Sequence, residues 1–370
     1  MPANESGFAE GWHGMLIPKA MKALVAHAQG QYSLDEVPVP VPGFGEILLK
    51  VEACGICAGD VKATHKAARF WGGDGMPGYC EPPFTPGHEF LGEIAAMGGG
   101  VEGGFSVGDR LVTEQIVPCG ECRYCKEGKY WLCAPHNVYG FKYYLNGGMA
   151  EYVLLPKNAR NYRISKELPM EEAVLIEPYA CSLRGVRQGR ITCDDVVVLS
   201  GAGTLGLGMI GAIKQRNPKK LIVLDMNDMR LEKAKEFGAD KVLNPGKTDA
   251  IRRVLDETDG YGCDVYIEVT GHPSSVGQGL EMIAKGGRFV EFSVFSAPAT
   301  VDWSIIGDTK EIVIYGSQLS PYCYPSTIEG ITTRKLPTKG VVSHVYPLSE
   351  WAEAFRMAES GNAIKVVLEP

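Results

Sequence analysis

The sequence has no apolar run that approaches the roughly 18 residues a membrane-spanning helix needs. Its first twenty residues, MPANESGFAEGWHGMLIPKA, lack the basic and apolar regions of a secretion signal. Basic residues are not in excess, because 44 Asp and Glu outnumber 37 Lys and Arg and give a net charge of −7. We therefore expect a cytoplasmic protein with neither a membrane nor a nucleic-acid partner.

The length and composition bound the architecture. At 370 residues, the chain is long enough for about two domains, and its 45% hydrophobic and 22% charged residues are ordinary for a globular protein. We expect residues 1–20 to be an N-terminal extension. Residues 21–180 and 337–370 are expected to form one β-rich domain, and residues 181–336 a second domain.

Short apolar segments separated by glycine and proline predict strands in the first half of the chain. They read MKALVAH, GEILLKVEACGIC, FLGEIAAMG, GDRLVTEQ and AEYVLL, and Pro38, Pro40 and Pro42 are expected to break the stretch after the first of them. No repeat or low-complexity segment occurs. This half is predicted to be a β-rich domain.

From residue 194 strands and helices alternate. Six strand patterns follow one another: DDVVVLSGAG, LIVLD, KVLN, CDVYIEV, RFVEFS and EIVIYGS. Helical patterns lie between them, including TLGLGMIGAIKQR, MRLEKAKEFGA, 249–257 and 275–285. This alternation predicts an α/β fold with a six-stranded, doubly wound parallel sheet, which is the Rossmann architecture. The final helix pattern and the strand AIKVVLEP are expected to return to the first domain.

The first strand of this region ends in a glycine motif. Gly201, Gly203 and Gly206 form G-x-G-x-x-G between a strand and a helix, the context that a dinucleotide pyrophosphate requires. Asp225 ends the next strand, where its carboxylate can bind a ribose 2′-hydroxyl. A 2′-phosphate there would be repelled, although Arg230 is close enough to soften this. The motif predicts NAD rather than NADP, against the alternative of a purely structural turn.

Four cysteines fall within fifteen residues in PCGECRYCKEGKYWLC. Cys119, Cys122, Cys125 and Cys133 could form a disulfide knot, a partner-binding zinc knuckle or a metal clip within an enzyme. The total of 11 cysteines is odd, and without a secretion signal the reducing cytosol favours metal binding. Four thiolates give zinc a closed tetrahedral shell, so we expect a structural zinc here.

Other residues of metal-ligand type are scattered and individually weak. They are Cys54 and Cys57 in EACGICAGD, His88 and Glu89 in PGHEF, and Glu177 in LIEPYACS. A lone cysteine in an apolar strand is more often core, and a lone histidine is more often a satisfied polar group.

Six features follow one another along the chain: Cys57, GHE, C-x2-C-x2-C-x7-C, IEP, GAGTLG and Asp225. In this order they make the chain, from Met21 to Pro370, resemble the zinc-containing medium-chain alcohol and polyol dehydrogenases. GDRL, GGMAEYVLLP and KVVLEP fit the same family. The resemblance implies a GroES-like β-rich catalytic domain beside the Rossmann domain. IEP is similar to the sorbitol and threonine dehydrogenase branches, whereas HKAARFWG, EQIVPCGEC, PHNVYGFK, ATVDWSIIGDTKE and LSPYCYP resemble enzymes that act on erythritol and L-threitol.

The resemblance implies roles for individual residues. Cys57, His88 and Glu177 would be catalytic zinc ligands, Glu89 a carboxylate that exchanges with water in the metal shell, and Cys54 a core residue. Leu205, Asp225 and Arg230 would contact NAD, and Ser293, Val294, Ser317 and Gln318 would border the nicotinamide.

Two positions depart from the family pattern. Gly59 stands where a serine or threonine usually passes the substrate proton outward, so a water, Lys62, Thr64 or His65 would have to replace it. Leu319 lies near the place of an arginine that contacts polyol in sorbitol dehydrogenase. The resemblance therefore leaves the contacts that select the substrate unassigned.

The resulting hypothesis is a zinc-dependent oxidoreductase of carbohydrate metabolism, with two zinc ions and NAD, in a homodimer or homotetramer. It would oxidise a secondary hydroxyl of a short polyol such as erythritol or L-threitol to a ketose. Another alcohol, such as sorbitol, xylitol, threonine or a primary alcohol, stays open as substrate. A zinc-free reductase on the same fold and a zinc-ribbon module fused to a nucleotide sensor are the remaining alternatives.

Overall fold

The computed structural model describes residues 17–73, 75, 77–295 and 297–370. The predicted extension, residues 1–20, lies outside the described residues up to position 16, and Ala20 already begins the first strand. No helix in the described part of the chain is long and apolar enough to cross a membrane.

The first half of the chain is rich in short strands. Its strands are β1 (Ala20–Ala28), β2 (Gln31–Pro38), β3 (Ile47–Gly55), β4 (Glu89–Met97), β5 (Arg110–Thr113), β6 (Ile116–Val117), β7 (Asn137–Val138), β8 (Tyr152–Leu155) and β9 (Asn161–Arg163). Its helices are α1 (Ala58–Thr64), α2 (Ala68–Trp71), α3 (Arg123–Lys126), α4 (Met170–Ala173) and α5 (Ile176–Gln188). All five predicted strands are present. The stretch that the prolines were expected to break contains an additional strand, β2, which ends at Pro38.

The second half alternates as expected. Its elements are β10 (Val196–Ser200), α6 (Thr204–Lys214), β11 (Lys220–Leu224), α7 (Asp228–Glu236), β12 (Lys241–Leu243), α8 (Ala250–Asp256), β13 (Cys263–Glu268), α9 (Pro273–Met282), β14 (Ile283–Glu291), β15 (Val313–Gly316) and α10 (Tyr324–Thr332). They are followed by β16 (Val342–Pro347), α11 (Trp351–Glu359) and β17 (Lys365–Glu369).

The six strands β10 to β15 form one parallel sheet in the order β12-β11-β10-β13-β14-β15. The order reverses direction between β10 and β13, which is the switch point where a doubly wound sheet binds its ligand. Central strand β10 is buried at every position, as its run of valine and leucine predicts. The predicted fold class is confirmed.

The helix expected at 275–285 was placed too far along the chain. Helix α9 begins at Pro273 and ends at Met282, and Ile283 then pairs with Cys263 as the start of β14. Strand pairing therefore overrides the helical pattern over the last three of these residues.

A second sheet joins both ends of the chain. Its order is β16-β17-β3-β4-β5-β9, with β8 paired to β3. Strand β17 pairs antiparallel with β3, with Val367 opposite Gly55 and Leu368 opposite Cys54. The last strand thus returns to the first half of the molecule. The step from residue 180 to 181 lies within α5, so the exact domain bounds stay a prediction.

Candidate metal centres and nucleotide site

The four clustered cysteines converge on one point. One ligand atom from each of Cys119, Cys122, Cys125 and Cys133 lies within 4.8 Å of the others. The backbone N–H of Cys119 donates to Cys133 Sγ at 3.3 Å, and that of Cys122 donates to Cys119 Sγ at 3.3 Å. Four sulfur donors in this arrangement would complete a closed tetrahedral zinc shell.

Backbone hydrogen bonds lower the pKa of Cys119 and Cys122, whereas burial raises that of Cys125 and Cys133. Hydrogen bonds from the N–H groups of Ala134 and Cys125 lower the pKa of the Cys122 thiol to about 6. A thiolate is the form of cysteine that binds metal. All cysteines of the chain are free thiols, so the disulfide alternative has no support. The residues fit a structural zinc.

Residues 119–133, the cysteine lobe, pack against the loop that follows β15. The N–H of Tyr322 donates to the Tyr130 hydroxyl at 3.0 Å, and the Tyr322 hydroxyl donates to the Gly128 carbonyl at 2.6 Å. The rings of Tyr130 and Tyr322 meet edge to face with centroids 5.1 Å apart. The lobe therefore supports the loop that carries Ser317 and Gln318.

A second group of ligand-type atoms lies at the end of the other sheet. Cys57 caps the N-terminus of α1, His88 directly precedes β4, and Glu89 begins β4. Their ligand atoms lie within 4.8 Å of one another. The pairing of β3 with β4 brings them together, because Gly55 lies opposite Glu89 in the register.

Asp60 ties two of these residues together, and sequence reasoning missed it. Its Oδ2 accepts the N–H of Cys57 at 2.9 Å, while its Oδ1 lies 3.8 Å from His88 Nδ1. Asp60 Oδ1 and His88 Nδ1 are both buried without a hydrogen-bond partner among the described residues. Burial lowers the pKa of His88, but the negative charges of Asp60 and Cys57 outweigh it and raise that pKa well above the ordinary value. A histidine that binds metal through one nitrogen commonly presents the other to a carboxylate.

Glu177 lies beside this group rather than inside it. It occupies the first turn of α5 and is buried, but its carboxylate oxygens are not among the three ligand atoms that lie within 4.8 Å of one another. Burial, and after it the charge of Glu89, raise the pKa of Glu177 to about 7. The described structure therefore brings together three of the four predicted ligands, with Glu89 rather than Glu177 as the third.

Lys365 on β17 neutralises Glu89, and this too was missed. Its ammonium contacts the Glu89 carboxylate and donates to the Ile56 carbonyl at 3.0 Å. The two side chains are 5% and 3% exposed. Cys54, predicted to be core, is fully buried and contributes no ligand atom to this group.

The glycine motif has the geometry that a pyrophosphate site needs. Gly201 adopts φ +116°, a region that side chains rarely enter, and the motif runs directly into α6. A Cβ at Gly206 would lie 2.0 Å from the Gly201 carbonyl oxygen, so only glycine allows the helix to start so close to the strand. Gly203 and Leu205 lie at the N-terminus of α6, where unpaired N–H groups point outward.

Asp225 holds the loops at the ribose end of this site. Its two carboxylate oxygens accept the N–H groups of Ala202 at 2.7 Å and Asn227 at 2.8 Å. Arg230 donates from Nη2 to the Ala363 carbonyl at 3.0 Å, and its Nη1 would lie 4.0 Å from a Cβ at Gly203. Both predicted side chains therefore border the glycine turn.

The four residues expected at the nicotinamide lie after β14 and β15. Lys62 on α1 donates to the Val294 carbonyl at 2.6 Å, the Ser317 N–H donates to the Glu291 carbonyl at 2.9 Å, and Gln318 Nε2 lies 3.5 Å from His136 Nε2. Ser293 directly precedes Val294. The contact of Lys62 places the helix capped by Cys57 next to the loop after β14.

All three side chains that were candidates to replace the hydroxyl absent at Gly59 have partners elsewhere. Thr64 Oγ1 donates to the Val61 carbonyl at 2.7 Å, and His65 pairs with Glu359 at 2.9 Å. Lys62 is engaged by the Val294 carbonyl, and burial is the main cause that lowers its pKa. A Cβ at Gly59 would meet nothing closer than Phe70 Cζ at 3.7 Å, and its φ is not in the left-handed region.

Comparison with known proteins gives consistent matches. Residues 43–165 match the protein-family model described as "Alcohol dehydrogenase GroES-like domain", and residues 204–333 match the one described as "Zinc-binding dehydrogenase". The chain is 44% identical to an erythritol/L-threitol dehydrogenase of Mycolicibacterium smegmatis, over 96% of this chain and 99% of that protein. It is 33% identical to a sorbitol dehydrogenase of Halalkalibacterium halodurans, over 95% and 99% respectively.

A solved structure gives the same picture. A Sinorhizobium meliloti protein described as a zinc-binding dehydrogenase, and bound to NADP, superposes with a TM-score of 0.87. The two chains are 26% identical, and the match covers 95% of this chain and 100% of that one.

Proposed function

The chain belongs to the zinc-binding medium-chain alcohol and polyol dehydrogenases, and from this premise we propose that it oxidises a secondary hydroxyl of a short polyol to a ketose. It is an oxidoreductase that acts on CH–OH donors. The observation that carries the proposal is the group of Cys57, His88 and Glu89 at helix α1, whose Lys62 contacts the loop after β14.

Two groups of residues divide the work. Cys57 and His88, with Glu177 or Glu89, would hold a zinc ion, which when bound supplies a Lewis acid that favours the ionised form of a hydroxyl. Asp60 holds the Cys57 backbone and faces His88, while Lys365 balances the charge of Glu89. Ser293, Val294, Ser317 and Gln318 would orient the nicotinamide, so that the donor carbon and the ring meet beside this metal group.

Erythritol and L-threitol are the proposed substrates. This choice is supported by the relative with 44% identity, which carries that name. Sorbitol, the substrate in the name of a second relative, is the alternative, together with xylitol and threonine.

NAD is the proposed cofactor because of Asp225. A 2′-phosphate would meet its carboxylate, and at about 4 Å two such charges repel by several kcal/mol at an effective dielectric constant of about 20. Arg230 is a nearby cation that would soften this repulsion, because among the described residues only its Nη2 is engaged, by the Ala363 carbonyl. The related structure that holds NADP makes this preference worth direct measurement.

Four further properties belong to the proposal. They are a catalytic zinc and a structural zinc in each chain, a homodimer or homotetramer, a cytoplasmic location, and domain bounds of 21–180 with 337–370 and of 181–336.

The deciding experiment is a steady-state assay of the purified protein. Erythritol, L-threitol, xylitol, sorbitol, threonine and a primary alcohol are offered with NAD and then with NADP. We expect the highest kcat/KM for a tetritol with NAD, and no turnover of any substrate by Cys57→Ala. Activity on primary alcohols alone would overturn the proposed substrate class.

A further inference from the structure

Four buried polar side chains form a line of hydrogen bonds from the loop after β15 to helix α5. The Ser320 hydroxyl donates to Gln115 Oε1 at 3.0 Å, and Gln115 Nε2 donates to Cys181 Sγ at 3.2 Å. The Cys181 thiol in turn donates to Glu177 Oε1 at 3.6 Å. All four residues are at most 7% exposed. The line therefore connects the loop expected at the nicotinamide to Glu177 through the interior of the protein.

The chemistry of the two ends fixes the direction of these hydrogen bonds. An ionised carboxylate only accepts hydrogen bonds, so the sulfur of Cys181 must donate its proton to Glu177. The same sulfur then accepts from the Gln115 amide N–H, which leaves the Gln115 carbonyl oxygen to accept from Ser320. Each donor has one acceptor, so the loss of any member leaves a buried neighbour unpaired.

Glu177 and Cys181 lie one turn apart on α5, the spacing at which two helical side chains meet. Glu177 is close enough to Glu89 and His88 for their charges to shift its pKa, although its oxygens stay outside the group that meets within 4.8 Å. The hydrogen bond from Cys181 engages Oε1 and leaves Oε2 for a metal ion. Cys181 is therefore placed to set the orientation of this carboxylate.

The far end of the line is held in a loop with an unusual backbone. Leu319 and Tyr322, on either side of Ser320, have φ of +51° and +58°, which bulky residues rarely adopt. Arg187 on α5 donates to the Tyr322 carbonyl at 3.3 Å and so fastens the same loop to the helix. Because these contacts hold Ser320 against Gln115, a shift of the loop would reach the carboxylate on α5 through buried atoms.

We propose that Cys181 and Gln115 are positioning residues that hold the Glu177 carboxylate ready for zinc and tie it to the loop after β15. The inference rests on the proposed function, since it needs a zinc ion at Cys57 and His88 with Glu177 as a further ligand. Hydrogen-bond partners orient metal ligands, and the loss of such a partner typically lowers metal affinity by about 10–100-fold. Cys181 and Gln115 act on the metal only through Glu177.

The test is the zinc affinity of the site that contains Cys57, measured by competition with a chelator. This zinc is identified as the one that Cys57→Ala lacks, and the four-cysteine site serves as an internal reference. We expect Cys181→Ala and Gln115→Leu each to bind it about tenfold more weakly, because Glu177 loses the partners that orient it. Cys181→Ser keeps a donor and an acceptor at the same place and should stay within about threefold of the wild type.

Two comparisons separate positioning from general damage to the fold. In a Glu177→Ala background, Cys181→Ala should cause no further loss of zinc affinity, since the carboxylate that it orients is gone. Cys263→Ala shortens an equally buried cysteine on β13 and should leave zinc affinity unchanged. An unchanged affinity in Cys181→Ala, or the same loss with and without Glu177, overturns the inference.

Ser320→Ala tests the tie to the loop. It should weaken zinc binding by about threefold in the wild type and not at all in the Glu177→Ala background. Zinc affinity that does not respond to Ser320→Ala overturns this part of the inference. If the wild type binds no zinc that depends on Cys57, or oxidises no alcohol, the proposed function fails instead.

Discussion

Replacing Lys365 with methionine tests how the group of Cys57, His88 and Glu89 is held in place. The ammonium of Lys365 contacts the Glu89 carboxylate, and both side chains are almost completely buried. Methionine fills similar space without charge, so the change leaves a buried carboxylate beside Cys57 with no cation. We expect a large loss of stability in the metal-free protein and a smaller loss once zinc is bound.

The magnitude follows from the burial. Removing one partner of a buried ion pair costs about 3–5 kcal/mol. In a domain of about 150–250 residues, each kcal/mol lowers the melting temperature by about 2–4 °C. Lys365→Met should therefore lower the melting temperature of the metal-free protein by roughly 6–20 °C. A zinc ion within the same group of ligands would supply positive charge to Glu89 and reduce this cost.

The assay is thermal unfolding of the wild type, Lys365→Met, Glu89→Gln and the double variant, each with excess chelator and again with zinc. The double variant removes both charges and should be more stable than Lys365→Met alone, because no unpaired carboxylate is left. A loss below about 1 kcal/mol, or the same loss with and without zinc, would refute the reasoning. Lys365 would then merely pack against its neighbours.

Four further outcomes can be checked. The wild type should hold two zinc ions per chain by elemental analysis; Cys119→Ser should lose one of them together with stability, whereas Cys57→Ala should lose activity but keep the fold. A single zinc in the wild type would contradict this. Asp225→Ala should raise kcat/KM with NADP relative to NAD, and a wild type that already prefers NADP would defeat the charge argument. Because the pKa of Glu177 is raised to about 7, zinc must displace its proton below that pH. Zinc affinity is measured by competition with a chelator. Below pH 7, the affinity of the wild type should fall more steeply than that of Glu177→Gln, by up to about tenfold more per pH unit. Plots of zinc affinity against pH that run parallel for the two proteins would exclude Glu177 as a ligand. Gly59→Ser should raise kcat or flatten its pH profile with zinc content unchanged, since the backbone and the open space there accept a side chain; identical kinetics between about pH 6 and 10 would show that no relay is missing.

Local pattern was sufficient for much of the fold. The buried run of β10, the glycine turn at Gly201 and the alternation of strands and helices predicted the six-stranded sheet, because parallel strands buried on both faces require continuous apolar sequence. The convergence of the four cysteines could also be expected, since their spacing is short and each offers a soft ligand.

Features that depend on distant contacts could not be found in this way. Lys365 and Glu89 are separated by 276 positions, and nothing in the sequence near either one indicates the other. Strand β2 was missed because most of its positions are only partly buried and so carry no clear apolar pattern. Asp60 offered a signal, because it lies three residues after Cys57 at the start of a helix, which is the spacing of a capping box.

The return of β17 to the first sheet sets an order of events during translation. Lys365 is synthesised only after β10 to β15 have left the ribosome, whereas Cys57, His88 and Glu89 emerge long before them. Until then a nascent chain has Glu89 without its cation and β3 without the strand that pairs with Val367. The metal centre of the first half can therefore reach its final charge balance only after the whole nucleotide-binding sheet has been made. Released chains that stop before β17 should, for the same reason, be more sensitive to protease in the first half than chains that include it.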